Sequence, residues 1–149
     1  MIKRKHAAGV ALAATLLTGF EGVKTYAYRD PVGIPTVCMG ETRGVKIGDH
    51  YTLAECKAMA TARVAEFAAG VDAALTVDVS DKTYASFVSW SYNLGIGAFK
   101  SKISPLVNSG HVMDACTKMG LYVYAHGIKL PGLVTRRREE VALCLDGLR

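Results

Sequence analysis

The stretch YTLAECKAMATARVAEFAAG, residues 51–70, separates two parts of the chain that differ in character. Thr52 followed three residues later by Glu55 is a capping-box sequence, which marks the start of a helix. Apolar residues then recur at helical spacing, at Cys56, Met59, Ala60, Val64, Phe67 and Ala68. We therefore predict a long helix over about residues 52–70, and the segments on either side of it define the fold.

The segment before this helix, about residues 20–50, is rich in glycine and proline. Between these turn formers lie the short β-branched and aromatic runs KTYAY and IPTVCM, which are typical of strands. A small, irregular antiparallel sheet is the structure that this pattern predicts.

The segment after the helix has helical periodicity throughout, with predicted helices at 80–94, 104–110, 112–121 and 135–148. We interpret the run RRREE, residues 136–140, as a solvated helix face with internal ion pairs. The predicted fold class is α+β: a small antiparallel β-lobe joined by a long helix to a larger helical lobe over about residues 80–149. A cleft is expected where the lobes meet.

The first 20 residues have the pattern of an export signal or membrane anchor. Lys3, Arg4 and Lys5 precede an uncharged run from Ala7 to Phe20. As a helix this run spans about 21 Å, short of the roughly 30 Å hydrocarbon core of a bilayer. Three interpretations stay open: a cleaved signal peptide, a marginal uncleaved anchor, and an apolar first helix buried in the fold.

The four cysteines, Cys38, Cys56, Cys116 and Cys144, lack the C-x-x-C spacing of structural zinc sites. An even number behind an export-like N-terminus favours two disulfides, with four buried free thiols as the alternative. Of the three possible pairings we favour the sequence-local one, Cys38–Cys56 and Cys116–Cys144.

The formal charge of +5 suits an anionic partner. Nucleic acid is not expected, because no recognition motif accompanies the charge.

Glu21, Asp30 and Thr36 are the candidate catalytic residues. Glycosidic cleavage uses one carboxylic acid to protonate the leaving oxygen and a second carboxylate to activate water or stabilise positive charge. Glu21 follows an apolar run, which suits the acid, and Asp30 precedes a proline in a turn. By spacing alone, two acids nine residues apart are more typical of surface charges or caps than of a catalytic pair. No phosphate-binding, dinucleotide-binding or zinc-protease motif occurs, so neither a cofactor nor a metal is expected.

Longer motifs around Glu21, Asp30 and Thr36 favour the catalytic interpretation of their spacing. The blocks FEGVKTYAYRDPVGIPTVCMGET, YTLAEC, SYNLGIGAF and GLVTRRREE resemble, in order, conserved blocks of the phage-type lysozymes, the endolysins related to the T-even phage lysozyme. The resemblance covers residues 16–144 and implies a lysozyme-like catalytic domain over residues 16–149. One departure is Glu41, where members of the family commonly carry a histidine.

The resemblance implies a muramidase that hydrolyses the β-1,4 bond between N-acetylmuramic acid and N-acetylglucosamine in peptidoglycan. Glu21 would be the general acid, Asp30 the second carboxylate, and Thr36 would position the attacking water. A lytic transglycosylase acting on the same bond, or a non-catalytic wall-binding or membrane-disrupting protein, is the alternative. The enzyme is expected to act as a monomer.

The N-terminus and the cysteines resemble the signal-anchor-release subgroup of these endolysins. That resemblance implies export, tethering to the inner membrane of a Gram-negative host, and release into the periplasm. Residues 1–20 contain no cysteine, so release through disulfide exchange within the anchor is not expected. We expect instead that residues 7–20 leave the lipid and pack into the catalytic lobe, which would set Glu21 in place.

Overall fold

The structure is a computed structural model that describes residues 6–149, with Glu21 described by its backbone alone. The positive flank predicted at Lys3–Lys5 lies outside the described residues. The helices are α1 (Ala7–Glu21), α2 (Leu53–Ala74), α3 (Asp81–Leu94), α4 (Ile96–Ala98), α5 (Ser104–Asn108), α6 (Val112–Met119) and α7 (Pro131–Asp146). The strands are β1 (Lys24–Arg29), β2 (Pro35–Cys38), β3 (Tyr124–Ala125) and β4 (Ile128–Lys129), and a π-helical turn, Phe99–Ile103, lies between α4 and α5.

The small lobe is built on β1 and β2, which pair antiparallel as predicted. An isolated bridge between Tyr26 and His50 brings the end of the lobe back against β1, and a second bridge pairs Val37 with Glu41. Val37 and Cys38 are buried in a separate small core together with Cys56 of α2. This lobe therefore has its own apolar centre, fastened to the start of the long helix.

The long helix α2 begins where the capping box predicted. The Thr52 hydroxyl accepts a hydrogen bond from the Glu55 amide at 3.1 Å, and the Glu55 carboxylate accepts one from the Thr52 amide at 2.8 Å. These reciprocal bonds satisfy two backbone donors that a helix start otherwise leaves unpaired. The helix extends to Ala74, four residues beyond the predicted end.

Helix α3 is the centre of the helical lobe, because every residue from Thr83 to Ser91 is buried. Its aromatic side chains Tyr84, Phe87 and Trp90 are fully buried, and Phe99 from the π-helical turn packs against Phe87 with ring centroids 5.2 Å apart. Trp90 and Phe99 therefore belong to the core of the helical lobe, and Tyr92 packs against that core partly buried. Helices α1, α2 and α7 surround α3.

Helix α1 packs into the helical lobe, with Ala13 and Leu17 in the same core as α3. The two helices approach closely at Gly9, where a Cβ atom would lie 2.8 Å from Cδ1 of Tyr84 and 3.2 Å from the Asp81 carbonyl oxygen. Any side chain larger than hydrogen would therefore push α1 away from α3. Over residues 6–149, no helix combines the length and apolarity needed to cross a membrane.

Each lobe carries one disulfide. Cys38 at the end of β2 is bonded to Cys56 of α2, and Cys116 of α6 is bonded to Cys144 of α7. This is the sequence-local pairing that the sequence favoured. Closing loops of 18 and 28 residues restricts the unfolded chain, an effect of about 3–4 kcal/mol per bridge on the chain-entropy estimate.

The interpretation of residues 136–140 as a solvated face was wrong. Arg136, Arg137 and Glu140 are at most 5% exposed, and only Arg138 and Glu139 of the run face solvent. The predicted pairing at helical spacing does occur, but the paired side chains turn inward and lie inside the lobe. Helix α7 also begins earlier than predicted, because Pro131 occupies its first turn, where a missing amide hydrogen is tolerated.

Candidate active site

Asp30 organises the turn between β1 and β2. Its Oδ1 accepts hydrogen bonds from the amides of Val32 at 3.0 Å and Ile34 at 2.8 Å, while its own amide donates to the Ile34 carbonyl at 3.0 Å. Gly33, with a φ of 88°, lets the chain reverse tightly here. Because the backbone holds one carboxylate oxygen, the half-buried side chain has a fixed orientation.

Thr36 lies on β2, opposite Tyr28 of β1, and is buried. Its hydroxyl donates to the Ile34 carbonyl oxygen at 2.8 Å. That same carbonyl accepts the Asp30 amide, so Asp30 and Thr36 are both bonded to the Ile34 peptide group. The structure thus brings together two of the three predicted catalytic residues. A hydroxyl that donates to the protein keeps its lone pairs to accept a hydrogen bond from a water or a sugar hydroxyl.

Glu21 is the last residue of α1, and Gly22 ends the helix with a φ of 64°. The Gly22 amide donates to the Thr18 carbonyl at 3.1 Å, which closes the final turn before the chain enters β1. This places the Glu21 backbone at the junction between the helical lobe and the small lobe. Its side chain lies outside the described part of the structure, so its predicted proximity to Asp30 stays a prediction.

A partly buried ion pair lies beside the turn that follows β2. Nη2 of Arg63 donates to both carboxylate oxygens of Glu41, at 2.8 and 2.7 Å, and Nη1 donates to Glu66 at 2.9 Å. The hydrogen-bonded Glu41 carboxylate raises the pKa of the Arg63 guanidinium. The pair lines a small pocket together with Gly40, Thr42, Arg43, Phe67 and Tyr92. Glu41, which stands where members of the family commonly carry a histidine, therefore forms an ion pair with Arg63 of α2.

A polar cluster lies under the end of α1. Glu140 is fully buried; it accepts a hydrogen bond from the Ser89 hydroxyl at 2.6 Å and pairs with Arg137 at 2.9 Å and Arg136 at 3.4 Å. Burial raises the pKa of the Glu140 carboxyl, and the two guanidiniums oppose the rise. The Arg136 guanidinium lies 5.0 Å from the ring centre of Phe20, the residue before Glu21. The cluster thus connects α3 and α7 to the end of α1.

This cluster and Tyr92 are residues that sequence reasoning did not connect with the site. A signal was present in both cases. Arg136 and Glu140 are four residues apart on one helix face, and Tyr92 belongs to the SYNLGIGAF block. Neither pattern shows which partner across the fold each side chain meets. Over residues 6–149, no group of three or more His, Cys, Asp or Glu side chains is arranged to hold a metal ion.

A small antiparallel lobe joined by a long helix to a larger helical lobe, with an acidic turn beside the junction, defines the lysozyme-like class of α+β proteins. The model of the phage lysozyme family matches residues 18–140 of this chain. The chain belongs to the phage lysozyme family.

Known relatives agree with this assignment. The chain is 36% identical over 146 residues to the SAR-endolysin of Enterobacteria phage PA-2, covering 93% of this chain and 88% of the relative. Its fold is similar to that of the endolysin from Escherichia coli O157:H7 phage FAHEc1, with a TM-score of 0.77 and 28% identity over 98% of this chain and 94% of the other. It is also similar to the muramidase domain of SpmX from Asticaccaulis excentricus, with a TM-score of 0.77 and 26% identity, covering 97% of both chains.

Proposed function

We propose that this protein is a phage endolysin, a muramidase that hydrolyses the β-1,4 bond between N-acetylmuramic acid and N-acetylglucosamine and releases phage progeny by host cell lysis. The observation that carries the proposal is the hairpin turn of the small lobe. There Asp30 and Thr36 share the Ile34 peptide group, nine and fifteen residues after Glu21, which ends α1. The family and the relatives named SAR-endolysin support the same activity.

The three residues take different roles in this mechanism. Glu21 protonates the glycosidic oxygen as the sugar leaves. Asp30, with its orientation fixed by two backbone amides, presents a carboxylate to the positive charge or water on the other side of the bond. Thr36 accepts a hydrogen bond from the attacking water through the lone pairs of its hydroxyl. The positive net charge favours binding to the anionic cell wall.

The same proposal includes the path of the enzyme to its substrate. The protein is exported, tethered through residues 7–20 to the inner membrane of a Gram-negative host, and then released into the periplasm as a monomer. Helix α1, packed on α3 in this structure, corresponds to the released state. Oxidising conditions outside the cytoplasm suit the two disulfides.

The test is mass spectrometry of fragments that the purified protein releases from purified peptidoglycan. Wild-type protein should release fragments with reducing muramic acid ends, and Glu21→Gln should release none at equal folded concentration. Glu139→Gln is the matched control, because Glu139 is an exposed carboxylate on α7. It should behave as wild type.

Each other outcome would change the assignment. Anhydro-muramic acid ends would indicate a lytic transglycosylase and would remove the role given to Asp30. Fragments that persist in Glu21→Gln would mean that another group is the acid. Lysis of cells without any released fragment would support a wall-binding or membrane-disrupting protein instead.

A further inference from the structure

The end of α3 faces both lobes through two neighbouring side chains of the SYNLGIGAF block. Asn93 accepts a hydrogen bond from Nη2 of Arg137 at 2.6 Å, on the side of α7. Tyr92 points the other way, and its hydroxyl donates to the Met39 carbonyl at 2.9 Å. One turn of a rigid helix thus contacts the buried polar cluster of the helical lobe and the backbone of the small lobe.

Met39 belongs to the tight turn that ends β2. Cys38 and Gly40 on either side of it have left-handed backbone conformations, with φ of 60° and 82°. The turn is closed by two hydrogen bonds between Val37 and Glu41, each 2.9 Å. Cys38 is also bonded to Cys56. A displacement of the Met39 carbonyl would therefore move this turn as a unit, together with the strand that leads into it.

That strand carries Thr36, three residues before Met39. Asp30 is linked to the same strand through the Ile34 peptide group. The ring of Tyr92 packs against Phe67 of α2, with centroids 5.5 Å apart. This contact restrains the ring independently of the hydrogen bond to the Met39 carbonyl. The position of the phenolic oxygen beside that carbonyl is therefore fixed by the ring packing.

We propose that Tyr92 is a positioning residue for the hydrolysis reaction. Through the Met39 carbonyl, its hydroxyl sets the position of the β2 strand, and with it Thr36 and Asp30, relative to the helical lobe where α1 ends. The inference rests on the proposed function of the site. Catalysis is sensitive to such placement, since a misplacement of 1 Å can cost about a hundredfold in rate.

The test is Tyr92→Phe, which keeps the ring and removes the hydroxyl. Its matched control is Tyr84→Phe: the Tyr84 hydroxyl also donates to a main-chain carbonyl, that of Ala68 at 3.2 Å, but within the helical lobe. Tyr92→Phe should lose about 2–4 °C in Tm, the shift expected for one hydrogen bond in a domain of this size. Tyr84→Phe should lose at least as much, because the Tyr84 hydroxyl also interacts with the Asp72 carboxylate. On soluble glycan fragments of peptidoglycan, Tyr92→Phe should lower kcat by about tenfold with little change in KM, as expected when only transition-state placement is lost. Tyr84→Phe should leave both constants unchanged.

A double-mutant cycle with Thr36→Val shows whether Tyr92 acts through the β2 strand. If it does, Tyr92→Phe should have a smaller effect on kcat in the Thr36→Val background than in the wild type. Equal kcat for Tyr92→Phe and wild type would overturn the inference, as would equal losses in Tyr92→Phe and Tyr84→Phe. If wild-type protein releases no fragments at all, the proposed function fails, and this inference fails with it.

Discussion

Asp30 combines observed hydrogen bonds to the backbone with a proposed role in catalysis. One of its carboxylate oxygens accepts two amides of the turn, and these bonds fix the direction in which the carboxylate is presented. An asparagine can make the same two bonds through its Oδ1 but carries no charge. Substitution at this position can therefore separate the structural contribution of the residue from its electrostatic one.

We expect Asp30→Asn to keep its Tm within about 2 °C of wild type, because the turn keeps its acceptor. Its rate of peptidoglycan hydrolysis should fall by about 10²–10⁴-fold, the usual range when a positioned acid or base is lost. Asp49→Asn is the matched control, since Asp49 accepts the Lys46 amide at 2.8 Å in another turn of the same lobe. Turbidity clearance and thermal melting measure the two effects. An active Asp30→Asn would show that the charge is not required.

The three catalytic residues could be proposed from the sequence because they lie in one 16-residue segment, on local motifs. Tyr92 and Glu140 could not be assigned in the same way. Their roles depend on partners 53 and 51 residues away, Met39 and Ser89. Sequence periodicity places a side chain on a face of its helix, but it does not identify the backbone or charge that this face meets.

At the scale of elements, local chemistry explains which boundaries were predictable. The starts of α2 and α3 follow Thr52 and Ser80, whose side chains accept hydrogen bonds from the amides three residues later. The hairpin of β3 and β4 was missed because each strand has only two residues. Its signal is the His126-Gly127 turn, with φ of 51° and 78°, the conformation of a tight hairpin turn.

Helix α1 depends on the absence of a side chain at Gly9. We expect Gly9→Ala to destabilise the protein by about 1–3 kcal/mol, because its methyl group would overlap Tyr84 and force α1 outward. Gly19→Ala is the matched control on the same helix: nothing lies within 4 Å of its Cβ position. It should be stabilised by up to about 1 kcal/mol through helix propensity.

Both substitutions add one methyl group to α1, so they change the apolarity of the segment equally. Any difference between them therefore reports the contact with α3 and not the affinity of the segment for lipid. Urea unfolding followed by circular dichroism measures both free energies. Shifts of the same sign in the two variants would contradict close packing at Gly9.

At the scale of the whole molecule, two apolar cores are joined through α2, and each is closed by its own disulfide. Cys38 and Cys56 belong to the small core, and Cys116 and Cys144 to the large one. The pairing could be favoured from sequence separation because each bridge stays within one predicted lobe. Whether the two lobes unfold together could not be predicted, since it depends on contacts between them such as Tyr92 with Met39 and Arg63 with Glu41.

Removing the disulfides tests that cooperativity. Replacing either cysteine pair by alanine should lower the free energy of unfolding by about 3–4 kcal/mol. The two losses should add to within about 0.5 kcal/mol, because the closed loops do not overlap and share no partner. Each variant should still unfold in one transition if the contacts across the cleft couple the lobes. Urea unfolding followed at once by tryptophan fluorescence, which reports Trp90, and by far-ultraviolet dichroism measures this. Two separated transitions in the Cys38/Cys56 variant would show that the small lobe unfolds independently. Full activity in that variant would show that the bridge is not needed to hold the β2 strand in position.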